Sequence, residues 1–241
     1  MDAGEAFITD ELYPGNLIGM EDPLSHEAIL AKTRERVHQT LEPGRPGHDW
    51  WHIEMVWRNS LRIGKEEGAD LFVVQLAALL HDIADYKFNN GDEKEGPRVA
   101  REWLTGLGLE ETTIEQVCQI IEEVTFRGAG TQVSPLSSLE SMVVQDADRL
   151  DAIGAIGIAR AFAYGGYKER PMHDPLIAPQ PHASFEEYKT NNSATINHFY
   201  EKLLLLRDRM NTDTARRIAG GRHAFMEEYL QRFLREWDGE D

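Results

Sequence analysis

Ten uncharged residues, Leu71–Leu80, run directly into His81-Asp82. A stretch this apolar belongs in a core, and an ionisable pair carried in with it is costly unless something compensates. A metal ion is the usual compensation, because it takes a neutral imidazole and an ionised carboxylate. His52, within His48-Asp49-Trp50-Trp51-His52, offers the same ligand chemistry. So does the segment Gln145-Asp146-Ala147-Asp148-Arg149-Leu150-Asp151, in which Asp146, Asp148 and Asp151 are all candidates. Imidazole and carboxylate donors suit Mn²⁺, Fe²⁺, Mg²⁺, Co²⁺ or Zn²⁺. A Cys-rich structural zinc site is excluded, since Cys118 is the sole cysteine. Two histidines and two aspartates leave coordination positions open for water and substrate. In such a site the metal lowers the pKa of bound water and polarises a phosphoryl oxygen. The pattern implies a metal-dependent hydrolase.

These residues need elements to hold them, and the periodicity supplies helices throughout. Ser25 is a candidate N-cap for a helix to Leu41, ended by Pro43-Gly44-Arg45-Pro46-Gly47. A second helix runs from Asp49, its expected cap, to about Glu67, with Ile53, Val56, Trp57 and Leu61 at helical spacing. Gly68 stops it. Asp70 caps a third, which carries the apolar decamer to about Ala84. Further helices are expected near 97–107, with Pro97 in the first turn, and over 109–124. One starting at Ser137 or Ser138 carries Asp148. Gly154-Ala155-Ile156-Gly157 continues that helix or marks close helix packing, and Gly165-Gly166 closes the element. Two long helices end the chain, over about 184–210 and 212–237. No β alternation persists and no long repeat is visible, so the fold reads as all-α.

The set His52 … His81-Asp82 … Asp148 resembles the HD superfamily of metal-dependent phosphohydrolases. The stretches LAALLHDIADYKF and VVQDADRLDAIGAIGIARAF resemble a YedJ-like branch of it. The resemblance implies an HD-type helical bundle over 26–241, with a metal-binding core at about 48–164, a loop at 165–182 and additional C-terminal helices at 184–237. Residues 1–25 then form an irregular arm. It implies His52, His81, Asp82 and Asp148 as metal ligands, since Ala147-Asp148-Arg149-Leu150 matches the family's Ala-Asp-Arg-Leu. Asp146 and Asp151 become supports for the ligands or ion-pair partners. Some HD branches hold a second metal with extra histidines between the His-Asp pair and the last Asp. This chain has none from Ile83 to Ala147, which favours one ion, with Mn²⁺ preferred. Val124-Thr125-Phe126 stands where YedJ-like relatives carry His-Ser-Phe.

Asp85 follows Asp82 by about one helical turn, so it can face the same cleft and move a proton. Alarmone hydrolases of the superfamily carry a catalytic carboxylate at the matching place. Lys87 and Arg149 flank ligands and are the candidate cations for phosphate charge. The loop Gly165–His182 combines paired glycines with Lys168, Arg170, His173 and His182, a composition that suits a lid. His198 and Lys202 share a helix face beside Ile196, Phe199, Leu203 and Leu206. The five tryptophans read as packing residues, with Trp50 or Trp51 as the candidate base-stacking exception, and Cys118 as a small core residue.

The expected function is hydrolysis of a small phosphorylated metabolite, with a nucleotide favoured, as phosphomonoester cleavage or as pyrophosphate release from a nucleoside triphosphate. A nucleotide-binding regulatory module without turnover is the non-enzymatic alternative. A metal-dependent oxygenase is weaker, because it needs a second metal. A formal charge of −17 disfavours nucleic acid polymers and anionic membranes as partners without excluding a small anion. No stretch reaches 18 consecutive apolar residues and no secretory leader is visible, so a cytoplasmic protein is expected. A homodimer is left open.

Overall fold

The computed structural model describes residues 24–41, 49–84, 94–124, 136–180 and 193–240. Among these residues the secondary structure is helical and there is no strand. Nine α-helices follow one another: α1 (His26–Thr40), α2 (Trp50–Glu67), α3 (Leu71–Leu80), α4 (Glu95–Gly106), α5 (Glu111–Val124), α6 (Leu139–Asp151), α7 (Gly154–Tyr167), α8 (Thr195–Glu201) and α9 (Asp213–Asp238). A 3₁₀ segment, Leu203–Arg209, joins α8 to α9. The expected N-terminal arm lies outside the described residues over 1–23, and its last residue, Ser25, caps the first helix.

Short polar side chains start the helices by accepting backbone N–H groups that the first turn leaves orphaned. Ser25 accepts from Ala28, Asp49 from His52, Asp70 from Phe72 and Val73, Ser138 from Ser141, and Thr212 from Ala215. Gly68 ends α2 at φ +77°, a left-handed conformation that costs glycine nothing.

The apolar decamer is the hub. Seven of its ten residues are buried. The helix packs against α1, α2, α5 and α6. Each large side chain so buried contributes about 1.5–3 kcal/mol. The α2 helix lies against α3 on one side and α6 on another, while α9 returns across α2, α6 and α7. The start of α2 is held by Arg34 of α1, whose guanidinium lies 5.5 Å from the Trp50 ring and 5.3 Å from that of Trp57 and bonds Glu54 at 3.0 Å. Trp57 and Trp103 pack as expected and use their N–H groups on Gln75 and Thr33. Trp51 and Trp237 are exposed instead.

Three boundaries differ from the periodicity. The third helix ends at Leu80, and residues 81–84 form turns. The α7 helix passes through Gly165-Gly166 to Tyr167; Gly165 is there for packing, since a Cβ would fall 2.2 Å from Thr195 Oγ1. The single helix expected to reach Met210 breaks at Lys202 (φ −143°, ψ −59°) and tightens into the 3₁₀ segment. Gly154-Ala155-Ile156-Gly157 begins a new helix, after a break at Ala152-Ile153.

Candidate metal centre

His52 is the third residue of α2, and its own backbone N–H is the group that Asp49 caps at 3.0 Å. The cap that starts the helix therefore also fixes the position from which the imidazole projects. His81 and Asp82 emerge at the buried end of α3, and Asp148 comes from the last turns of α6. Three secondary-structure elements, each seated on the same core, thus converge.

Their donor atoms lie close together. His52 Nε2 is 3.5 Å from Asp148 Oδ1 and 3.6 Å from Asp82 Oδ2, and His81 Nε2 is 3.8 Å from Asp82 Oδ2. One donor atom each from His52, His81 and Asp148 falls within a 4.8 Å set. Atoms bound to one ion at about 2.1 Å stand roughly 3–3.5 Å apart when adjacent. Both imidazoles are turned the same way. His81 Nδ1 donates to the Ala78 carbonyl at 2.9 Å, and His52 Nδ1 lies 2.7 Å from Asp151 Oδ2 and 2.8 Å from Arg160 Nη1. Each therefore turns its Nε2 toward the common space. His81 Nε2 is buried and has no hydrogen-bond partner among the described residues. Protein interiors rarely tolerate such an atom, and a divalent cation satisfies it, so the residues present fit the ion. The carboxylates are the accessible side: the side chain of Asp82 is 18% exposed and that of Asp148 32%, against 4% for either histidine.

Asp151 and Asp148 stand three residues apart on one face of α6 and serve opposite nitrogens of a single imidazole. Asp151 is buried and pairs with Arg160 of α7. Arg160 also sits in the field of Asp148, Asp49 and Asp82, while burial pulls its guanidinium below the usual range. Sequence reasoning missed it. The available signal was that Arg160 is the sole charged residue of α7. Asp146 has a different task. It is fully buried and accepts from the Asn211 and Thr212 backbone N–H groups, the Thr212 hydroxyl and the Asn211 amide, which fastens α6 to the start of α9. Burial raises its pKa.

Of the residues expected to act on substrate, Asp85 and Lys87 lie outside the described residues, as do His48 and His182. Arg149 is described, and its guanidinium donates to the Arg209 carbonyl. Burial lowers its pKa, with Asp146 and Asp148 opposing that shift. The expected lid is, over 168–180, a strap stitched to α8: Thr195 and Ile196 donate backbone bonds to the Pro171 and Met172 carbonyls at 2.9 Å, and Asn197 reaches the Ile177 carbonyl at 2.8 Å. Lys202 does not extend α8 beside His198; its N–H closes the helix on the His198 carbonyl. No described helix is long and apolar enough to cross a membrane.

The family model of the HD domain matches residues 50–153, which span His52, His81, Asp82 and Asp148. An uncharacterized Bacillus subtilis protein, YpgQ, is 36% identical over 208 residues, covering 86% of this chain and 93% of its own. A crystal structure of a Bacillus thuringiensis HD-superfamily hydrolase is similar with 40% identity and a TM-score of 0.71, covering 89% of this chain and 99% of that one. The crystal structure of YpgQ in complex with ADP is similar at 35% identity and TM-score 0.70, over 88% of this chain and 96% of that one.

Proposed function

The chain belongs to the HD domain family, and we propose that it is a divalent-metal-dependent phosphohydrolase acting on a small phosphorylated metabolite, most of all a nucleotide. The observation that carries the reading is the convergence of His52 Nε2 and His81 Nε2 on Asp82 and Asp148, with His81 Nε2 buried and without a hydrogen-bond partner among the described residues. His52, His81, Asp82 and Asp148 would hold one ion, with Mn²⁺ preferred. When bound, the ion supplies charge neutralisation for a phosphoryl group and acidifies the attacking water. Asp85 would take the proton from that water as its oxygen joins phosphorus, and would return it to the leaving oxygen as the other P–O bond breaks. Lys87 and Arg149 offset the phosphate charge. The ADP held by YpgQ supports the nucleotide class, and either cleavage of a phosphomonoester or release of pyrophosphate from a triphosphate is compatible with it.

The same ADP complex also suits a module that binds nucleotide without turning it over. A panel of nucleoside mono-, di- and triphosphates incubated with Mn²⁺ separates the two. Turnover in the parent protein that disappears in His81→Ala supports the hydrolase. Product formation at equal rates in both proteins refutes the metal-centred reading, and Mn²⁺-dependent binding with no product in the parent selects the regulatory module.

A further inference from the structure

The α7 helix extends from the metal centre to a patch that the proposed chemistry has not used. Arg160, Tyr164 and Tyr167 follow one another at four and three residues, so they lie within about 60° of one another on a single stripe of the helix. Arg160 marks the end of that stripe at the metal centre, through its pairing with Asp151. One turn on, about 6 Å along the axis, Tyr164 is 41% exposed, and Tyr167 is 63% exposed. Long side chains in helices lean toward the N-terminus, so Tyr164 leans back toward Arg160.

The chain beyond α7 is bent to bring positive charge onto these rings. Lys168 Nζ lies 5.8 Å from the Tyr164 ring centroid and 5.4 Å from that of Tyr167. The Arg170 guanidinium lies 5.9 Å from the Tyr164 centroid. Arg170 gets there through a tight helix closure. Its N–H bonds the Gly165 carbonyl at 2.9 Å, while Glu169 N–H bonds that of Gly166 at 3.1 Å. That closure demands a left-handed residue, and Glu169 supplies it at φ +56°, the sole non-glycine residue with positive φ among those described. A glycine would adopt this conformation without strain. In a chain of formal charge −17, Arg160, Lys168 and Arg170 gather local positive potential along one path leading to the centre.

We propose that Tyr164 is the stacking platform for the base of a nucleotide whose phosphates occupy the metal centre, with Lys168 and Arg170 as its cationic surround. The inference rests on the nucleotide phosphohydrolase reading and specifies its substrate subsite. A nucleotide has a polyanionic end and an aromatic end, and the stripe runs from a residue at the metal centre to an aromatic ring. An exposed tyrosine face accepts any base, which makes the site selective for nucleotides over sugar phosphates but tolerant among bases.

The test is calorimetric titration of ADP and of inorganic pyrophosphate into the full chain with Mn²⁺, for the parent, Tyr164→Ala and Tyr164→Phe. Loss of a base–aromatic stack is expected to raise the ratio of the ADP to the pyrophosphate dissociation constant roughly 5- to 100-fold in Tyr164→Ala. Tyr164→Phe, which keeps the π face, retains the parent ratio. If Tyr164→Ala does not fold, Tyr164→Leu reads the same quantity, keeping apolar bulk without the ring. An unchanged ratio in a protein that binds ADP in a Mn²⁺-dependent manner overturns the platform and leaves the nucleotide reading intact. Absence of any Mn²⁺-dependent ADP binding in the parent overturns both.

Discussion

Removing the Asp151 carboxylate tests whether the metal centre depends on how His52 is held. The 2.7 Å bond from His52 Nδ1 joins two buried side chains, 4% and 2% exposed. When Nδ1 donates to that carboxylate, Nε2 is the bare nitrogen. In Asp151→Ala the Nδ1 proton loses its acceptor and Arg160 loses its anion. A buried group left unsatisfied costs about 1–3 kcal/mol, and the imidazole becomes free to rotate or to carry its proton on Nε2, a form that cannot ligate. Loss of such a supporting bond typically weakens metal binding about 10- to 100-fold, which is roughly 1.4–2.7 kcal/mol. Asp151→Asn keeps an oxygen for Nδ1–H but removes the charge, so it should fall at or below the lower end of that range. The assay is Mn²⁺ titration by calorimetry, paired with thermal melts of the metal-free protein. The orientation argument predicts a graded loss of Mn²⁺ affinity, Ala worse than Asn. A purely structural ion pair would lower the metal-free melting temperature and leave Mn²⁺ affinity at the parent value, and that result refutes the reasoning.

Three further substitutions or modifications read the scaffold. Glu169→Gly relieves a left-handed residue and should stabilise the protein by about 0.5–1 kcal/mol, visible as a melting temperature raised by roughly 1–4 °C. Gly157→Ala puts a Cβ 2.2 Å from the Ala152 carbonyl oxygen, one turn before Arg160. It should cost about 1–3 kcal/mol in denaturant unfolding; a neutral outcome would mean that the link between α6 and α7 shifts freely. Burial pushes the Cys118 thiol above its ordinary value of 9.0. A raised folded pKa gives stability that is complete below the unfolded value and lost as pH rises through the folded one. Iodoacetamide labelling at pH 8 should accordingly be slower in native than in denatured protein, followed by mass spectrometry.

Helix starts were legible because a cap is a local bond: Ser25, Asp49 and Asp70 each reach a backbone N–H two or three residues ahead. The break at Lys202 was not legible, and the reason is geometric. Ile196, Phe199, Leu203 and Leu206 are all buried, at spacings of three and four that a continuous α-helix satisfies. A 3₁₀ turn repeats every three residues and satisfies the last spacing equally well. Burial periodicity therefore carries no information about where the helix tightens. The break has other sources, such as the bonds that tie α8 to the 168–180 strap.

The candidate metal ligands were legible through cost. Ionisable residues attached to an apolar run demand compensation, and His81-Asp82 satisfied that criterion in the sequence. The same criterion, applied further along, selects Arg160, a single charge in the fourteen residues of α7. It passed unnoticed because a guanidinium suggests no ligand chemistry, and because its anion, Asp151, reads in sequence as one of three aspartates in a row of candidates. Only the crossing of α6 and α7 brings the two together against His52. Once that crossing is known, the division of labour in the acidic segment follows from burial and partners. Asp148 faces Nε2 from the accessible side, Asp151 holds Nδ1 from within, and Asp146 turns away to cap the entry into α9. Three carboxylates within six residues thus bind, orient and fasten, and the helical phase of each decides which.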